Sequence, residues 1–386
     1  MTESVDLSII LPALTEEKTL EACLRKVLKT APSLTPNFEI IVADNGSADR
    51  TAEIAVRAGA RVVPVKKPGY GNALLGGLSA AQGRWLVMGD ADDSYNFEEI
   101  GPFVEKLRAG AELVVGNRFL GNIQKGAMPF LHRYLGTPFL TGLMNWVFKT
   151  GAGDVNCGMR AMTREAFGKL HLKNQGMEFA AEMLIKGSLA GLAIAEVPCH
   201  FYRDGRGRKP HLRTWRDGWR HLRLIFLLAP AMTFLIPGGL LAAAGLAGLA
   251  LLTARDFFAP QLLGMVNSRH MLSSMLVLLT GSQIVCLGLL ARAAGLQGAY
   301  ACASRGLHFL TEQFRFRRGL CSSFLLMATG TAALGYLGIS YYAGFEPRIP
   351  ELLRFDIAVL AITAVLLSVQ ILFVSLLLGF LELKAG

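Results

Sequence analysis

The stretch Trp85-Leu-Val-Met-Gly-Asp90-Ala-Asp92 decides how the rest of the chain is read. A short apolar run closed by Gly and Asp predicts a buried strand, Trp85 to Gly89, that ends in a turn. Two carboxylates one residue apart at such a turn can hold a hard divalent cation, Mg²⁺ or Mn²⁺, and leave positions for phosphate oxygens. A cation held there neutralises charge that builds on a leaving diphosphate. Asp is also a common turn residue with no ligand at all, so the surroundings must arbitrate.

Outward from this stretch, apolar β-rich runs recur at Leu7–Leu11, Glu39–Ala43, Arg61–Val65 and Glu112–Val115. Helical stretches near 16–30, 49–58, 71–82 and 98–109 separate them. The alternation predicts an α/β domain with a mostly parallel sheet covered by helices on both faces. Polar motifs follow the strands at Pro12–Glu16, Asp44–Ser47, Asp90–Asp93 and Gly116–Arg118. Ligands of open α/β sheets sit beyond the carboxyl ends of the strands, so these motifs belong to one site. Farther on, helices are expected near 137–148 and 178–190 and a strand near 193–198.

Asp44-Asn-Gly-Ser47 ends a strand and opens a helix, where a carboxylate can accept from a ribose or a base. A helix cap supplied by Ser47 or Asp49 reads equally well. Lys66-Lys-Pro-Gly69-Tyr-Gly71 places glycines at a helix N-terminus, which suits phosphate. It is neither a dinucleotide fingerprint nor a P-loop, because the third Gly is displaced and no Gly-Lys-Ser/Thr follows.

The C-terminal half has a different character. Mean hydropathy is +0.40, and 52% of residues are apolar. No Asp, Glu, Lys or Arg occurs between Arg223 and Arg255, Arg269 and Arg292, Arg318 and Glu346, or Asp356 and Glu382. Each gap exceeds the roughly 20 residues a helix needs to cross a bilayer. Membrane spans are therefore expected at about 230–253, 271–291, 320–343 and 357–381. The loop between the second and third spans holds Arg292, Arg305, Arg315, Arg317 and Arg318 against Glu312. Basic loops stay cytoplasmic, which puts that loop and both termini on the cytosolic side. Met1–Asp6 lacks the basic then apolar run of a signal peptide.

Arg203-Asp-Gly-Arg-Gly-Arg-Lys-Pro210 reads as a flexible basic linker. The helix after it aligns Leu212, Trp215, Trp219, Leu222 and Phe226, with Arg213, Arg216, Arg220 and Arg223 alongside. That pattern marks a helix lying in the membrane surface, over about 211–229. An amphipathic core helix looks similar, but a span follows at once. A second, weaker surface helix is expected at about 303–318. The net charge of +10 is assigned to anionic membrane lipid rather than nucleic acid. Six Cys, at 23, 157, 199, 286, 302 and 321, form no C-x-x-C pair, so neither a disulfide framework nor a zinc site is expected.

Together these motifs resemble the family 2 glycosyltransferases with the GT-A fold, over roughly residues 5–225. The likeness is to the polyisoprenyl-phosphate branch, the dolichol-phosphate mannose/glucose synthase type of bacteria. Pro12-Ala-Leu-Thr-Glu16 resembles P-x-x-N-E, with Thr15 where Asn is usual. Asp44-Asn-Gly-Ser resembles D-D-G-S, and Gly69-Tyr-Gly71 a G-x-G element without its usual Lys. Asp90-Ala-Asp92 resembles the metal motif, with Ser94 where related synthases often use Gln. Gly116-Asn-Arg118-Phe resembles G-x-R-[FY], His132-Arg133 the downstream basic residue, and Asp154-Val-Asn-Cys157-Gly-Met-Arg160 the D-x-x-S-G-x-R element.

The resemblance implies an inverting, metal-dependent hexosyltransferase. It would take a nucleotide-sugar donor, UDP-sugar before GDP-mannose, and a polyisoprenyl phosphate acceptor. Pro12, Glu16, Asp44, Gly69, Gly71 and Asp90 are expected at the nucleotide-sugar, and Asp90 and Asp92 at the metal. Arg118, Arg133 and Arg160 are expected at the acceptor phosphate, and Asp92, Arg118, Arg133 and Asp154 in catalysis. Residues 1–210 are expected to be the cytosolic GT-A domain and 230–386 the transmembrane domain. A processive polysaccharide synthase would call for Q-x-x-R-W, which is absent. A lipid-flipping subunit would explain the spans but not the motifs. Oligomeric state is open, a homo-oligomer included.

Overall fold

The computed structural model describes residues 5–207, 214–258, 269–296, 316–343 and 351–385. The chain divides into two compact units, Met1–Ile225 and Phe226–Gly386. The division falls within the 211–229 segment expected to be a surface helix.

The first unit is built on a seven-stranded sheet in the order β3-β2-β1-β4-β6-β5-β7. Its strands are β1 (Leu7–Ala13), β2 (Phe38–Asp44), β3 (Arg61–Pro64), β4 (Trp85–Met88), β5 (Leu113–Asn117), β6 (Arg160–Thr163) and β7 (Ile194–Pro198). β1 is buried along its whole length, as expected for a strand covered on both faces. The helices are α1 (Leu20–Leu34), α2 (Thr51–Arg57), α3 (Tyr70–Ala80), α4 (Gly101–Arg108), α5 (Thr137–Phe148), α6 (Arg164–Leu170), α7 (Phe179–Leu189) and α8 (Thr214–Leu228). α1 turns Leu20, Cys23, Leu24, Val27 and Ala31 inward, a single helical stripe. Each buried Leu or Val there contributes about 1.5–3 kcal/mol.

β1 pairs in parallel with both β2 and β4. The chain order reverses beside β1, and the crevice at such a reversal is where α/β folds bind ligands. The β1–β4 register ends at Ile10↔Met88, with the Gly89 N–H donating to Ile10 O at 3.2 Å. Because donors alternate sides along a strand, Pro12 would have donated toward β4, where pairing has already stopped. A proline is therefore tolerated inside a central strand.

The sheet is mostly parallel, as expected, with one antiparallel strand that makes it mixed. β6, not anticipated from sequence, runs antiparallel to both β4 and β5. Arg160 opens it, registered opposite Met88 and Val115. Residues 154–159 are thereby delivered to the same edge as the ends of β4 and β5.

In the second unit, helices Ile236–Phe258 (entered through a π-helical turn, Ala231–Leu235), Arg269–Leu296, Phe316–Tyr342 and Glu351–Ala385 carry four segments long and apolar enough to cross a membrane. These are Ala231–Ala254, His270–Ala293, Phe316–Tyr342 and Leu353–Leu381. The first two helices meet closely: a Cβ on Gly245 would strike Leu278 backbone and one on Gly281 would strike Ala242. Small residues at the crossing are the usual way membrane helices gain contact. Gln370 donates to Gln283 at 2.9 Å and accepts from Ser282 at 2.7 Å. Of the second surface helix, 303–315 lies outside the described residues, as does 259–268 between the first two spans.

Candidate active site

Asp90 and Asp92 stand just past β4, at the reversal point. The Tyr70 hydroxyl donates to Asp90 Oδ1 at 2.8 Å. Burial, followed by the charge of Asp92, pushes the Asp90 carboxyl up to about 6. Two carboxylates crowded out of water repel, and a cation between them relieves that repulsion. No group of three or more metal-capable side chains occurs among the described residues. The donor set nevertheless fits Mg²⁺ or Mn²⁺, which are commonly held by one or two carboxylates plus substrate phosphates.

A side chain without an assigned role in the sequence reading meets these carboxylates. Arg206 Nη2 lies 2.8 Å from Asp92 Oδ2, and its Nε lies 3.0 Å from Glu16. The backbone follows: Gly205 N–H donates to Asp92 O at 3.0 Å and Tyr202 N–H to Ser94 O at 2.9 Å. The described part of the basic linker is thus ordered against the β4 turn. Its Arg-rich composition signalled charge but not an address. Ser94 gives its N–H (3.0 Å) and hydroxyl (2.5 Å) to Asp92 Oδ1, so it orients that carboxylate.

The neighbouring turns are stitched together. Thr15 N–H donates to Ser47 Oγ at 2.9 Å, Glu16 N–H to Thr51 Oγ1 at 2.8 Å and Glu17 N–H to Asp49 at 3.1 Å. Asp44 accepts from Ser47 N–H at 3.0 Å, a local turn. Asn45 donates to Val65 O and Lys67 O and accepts from Gly69 N–H at 2.7 Å. Where the related motif has Asp, this Asn clamps the Gly69–Gly71 loop. Those glycines have a packing reason: a Cβ on Gly69 would strike Gln175 O, and one on Gly71 would strike Asn174 O. Residues 173–175 are fixed from beneath by Glu182, which accepts from Lys173 and Asn174 N–H and pairs with Lys186 at 2.5 Å.

On the other side of β6, Arg118 at the end of β5 forms a two-pronged pair with Asp154. Nε donates to Oδ2 at 2.6 Å and Nη2 to Oδ1 at 2.9 Å. Both partners are buried, Arg118 at 7% and Asp154 at 0% exposure. The guanidinium lies 5.0 Å over the Phe201 ring. Asp154 therefore positions Arg118. Arg160 is corrected as a phosphate ligand: it is fully buried and donates to Cys157 O, Ala180 O and Val155 O at 2.9, 2.6 and 2.7 Å. All three nitrogens are committed to backbone carbonyls, so it holds the 155–158 turn in place. That turn is tight, since a Cβ on Gly158 would come within 2.6 Å of Asp90 Oδ2, and Tyr95 Oη accepts the Gly158 N–H at 2.8 Å. Cys157 is buried, a packed thiol.

Arg133 sits on a single π-helical turn, His132–Gly136, that leads into α5. It is half-buried, forms no ion pair among the described residues, and lies 5.5 Å over the Tyr134 ring. His132 is held below its usual range by burial and by the positive charge of Arg118, which leaves it neutral near pH 7.

Comparison with known proteins bears on both parts of the chain. The glycosyl transferase family 2 profile matches residues 8–170. The profile of the glycosyltransferase family 2 C-terminal transmembrane region matches 289–382. The chain is 31% identical over 379 residues to a low-salt glycan biosynthesis hexosyltransferase, Agl6, of Haloferax volcanii, covering 97% of this chain and 89% of that one. It is 33% identical over 205 residues to a dolichyl-phosphate hexose transferase of the same organism, covering 52% of this chain and 85% of that one. Among solved structures, glucosyl-3-phosphoglycerate synthase from Mycobacterium tuberculosis, in complex with Mn²⁺, UDP and glucosyl-3-phosphoglycerate, aligns with a TM-score of 0.46. Its identity is 25%, over 58% of this chain and 79% of that one.

Proposed function

The chain belongs to glycosyl transferase family 2, with a GT-A-like α/β domain followed by a transmembrane region, and on that premise we propose that it transfers a hexose from a nucleotide-sugar to a polyisoprenyl phosphate. UDP-sugars are favoured over GDP-mannose as donor. The observation that carries the reading is the charge layout at the strand ends. Glu16, Asp90 and Asp92 gather beside β1 and β4, where Arg206 bridges Glu16 and Asp92, while Arg118 follows β5 and Arg133 stands on the later π-helical turn. One cluster suits a cation and a diphosphate; the other suits an anionic nucleophile.

Asp90 and Asp92 would hold the divalent cation, which supplies charge neutralisation at the leaving diphosphate. Glu16, Asp44 and the Asn45-clamped loop would shape the nucleotide pocket, with Pro12 at its floor. Arg206, already paired with Asp92 and Glu16, can turn to a diphosphate oxygen when donor and cation arrive. The acceptor needs no general base, because a phosphate monoester has a second pKa of about 6 and is mostly dianionic near pH 7. Positioning is what it requires. Arg133 supplies an unpaired guanidinium, and Arg118, pinned by Asp154, keeps Nη1 for the same phosphate. Attack opposite the leaving group would invert the anomeric centre. The catalytic unit would lie in the cytosol, and α8 would lie in the membrane surface, a reading supported by Trp219, 66% exposed among exposed Arg216, Arg220 and Arg223.

Transfer from radiolabelled nucleotide-sugars to a polyprenyl phosphate tests this directly. Asp92→Ala is expected to abolish transfer, and EDTA to abolish it in the wild type. Full activity in either case removes the cation from the mechanism. Donor choice is read from thermal stabilisation by a nucleotide-sugar panel with Mn²⁺, since a ligand bound only to the folded state raises the midpoint.

A further inference from the structure

The helix that follows Arg133 has the wrong outer face for a protein surface in water. No Asp, Glu, Lys or Arg occurs between Arg133 and Lys149. Phe130 is 78% exposed, Tyr134 61%, Leu135 62%, Phe139 57% and Trp146 67%. The exposed positions 131, 135, 139, 142 and 146 advance by three or four and form one stripe along the helix. Its inner face, Leu140, Met144 and Phe148, is buried. The helix is folded and packed on one side, and the other side is an apolar strip larger than monomeric proteins usually leave to solvent.

We propose that this outer face, the π-helical turn and α5 from Phe130 to Trp146, lies in the headgroup–acyl boundary of the lipid bilayer, giving the catalytic unit a membrane contact of its own. Three observations select lipid as the occupant. The same chain carries four membrane-length helices, the first beginning at Ala231, close after the catalytic unit ends at Ile225. A bilayer is thus held at high effective concentration beside this unit, and even a weak contact is populated. Aromatic and Leu side chains facing out with no carboxylate among them match an interfacial helix. Cations mark both ends of the strip: exposed Lys125 before it and half-buried Arg133 in its first turn, exposed Lys149 after it. That flanking suits anionic headgroups. The arrangement sets Arg133 at the depth of lipid phosphates. This inference needs only the tether and not the identity of donor or acceptor.

The test uses the full chain in a Cys302→Ser, Cys321→Ser background, reconstituted in vesicles of phosphatidylethanolamine and phosphatidylglycerol. An environment-sensitive fluorophore is attached at Phe130→Cys or Phe139→Cys. Val56→Cys on α2, an exposed apolar position at 63%, is the control. Labels at 130 and 139 are expected to shift to the blue and to be quenched severalfold more by nitroxide lipids than by aqueous iodide, with the reverse at 56. A second substitution, Leu135→Glu, places a carboxylate mid-strip and is expected to move the label at 130 toward the behaviour of 56. Iodide access at both 130 and 139 equal to that at 56 overturns the proposal, as does indifference to Leu135→Glu. Shielding that instead tracks protein-to-lipid ratio, with thiols at 139 cross-linking between copies, also overturns it and identifies a homomeric interface.

Discussion

Replacing Asp154 with Asn separates two roles that a carboxylate can play beside an acceptor phosphate. The side chain is wholly buried, and it accepts from Arg118 Nε and Nη2 at 2.6 and 2.9 Å and from the Arg118 and Asn156 N–H groups at 3.2 Å each. Asn keeps one oxygen for the backbone but leaves a buried guanidinium without counter-charge. Breaking a buried pair from one side costs about 3–5 kcal/mol. For a unit of this size each kcal/mol lowers the midpoint by about 2–4 °C, so Asp154→Asn should fall by about 6–20 °C. Arg118→Met strands the carboxylate and should fall comparably. The double variant leaves no unpaired charge at this site and is expected to melt no lower than the worse single variant, the mark of coupled neighbours. Thermal unfolding of the detergent-purified full chain by intrinsic fluorescence measures all four proteins. Kinetics with a short-chain polyprenyl phosphate, run below every midpoint, completes the comparison. Asp154→Asn should keep a measurable rate, while Arg118→Ala and Arg133→Ala lose far more through acceptor use. Additive melting shifts would refute the pairing argument. A dead Asp154→Asn with an unchanged midpoint, alongside active Arg variants, would make Asp154 the base.

Arg206→Ala removes the cation that sits between Glu16 and Asp92. Mn²⁺ alone should then bind tighter by about tenfold, near 1.4 kcal/mol, while nucleotide-sugar binds more weakly; calorimetry showing both moving the same way would contradict the exchange. Thr15 holds φ at 61°, a region costly for a β-branched residue. Thr15→Asn should raise the midpoint by about 2–4 °C for roughly 1 kcal/mol of relieved strain, and no rise in the melting curve would locate the strain elsewhere. Membrane-impermeant thiol labelling should reach a cysteine at 262 from outside and one at 310 only from the cytosol, with the opposite pattern reversing the expected topology.

The amino-acid sequence alone determined whatever depends on local pattern. Charge-free gaps fall on the four long helices because span length is set by bilayer thickness. The β1, β2 and β4 runs read correctly because a strand buried on both faces is almost continuously apolar. Asp90 and Asp92 were visible because two carboxylates one residue apart after an apolar run are a local pattern. Tertiary structure decided what depends on partners distant in sequence. β6 is short and opens with Arg160, whose charge hides a strand; only the three backbone carbonyls around its guanidinium explain how it is buried. Arg118 and Asp154 are 36 residues apart, and Arg206 is 190 residues from Glu16. Sequence spacing cannot report such pairings, because the antiparallel insertion of β6 and the return of residues 202–206 along the β4 turn bring them together. A motif can name an arginine, but whether it faces a phosphate, a carboxylate or a ring of carbonyls follows from which charges the fold leaves it to neutralise.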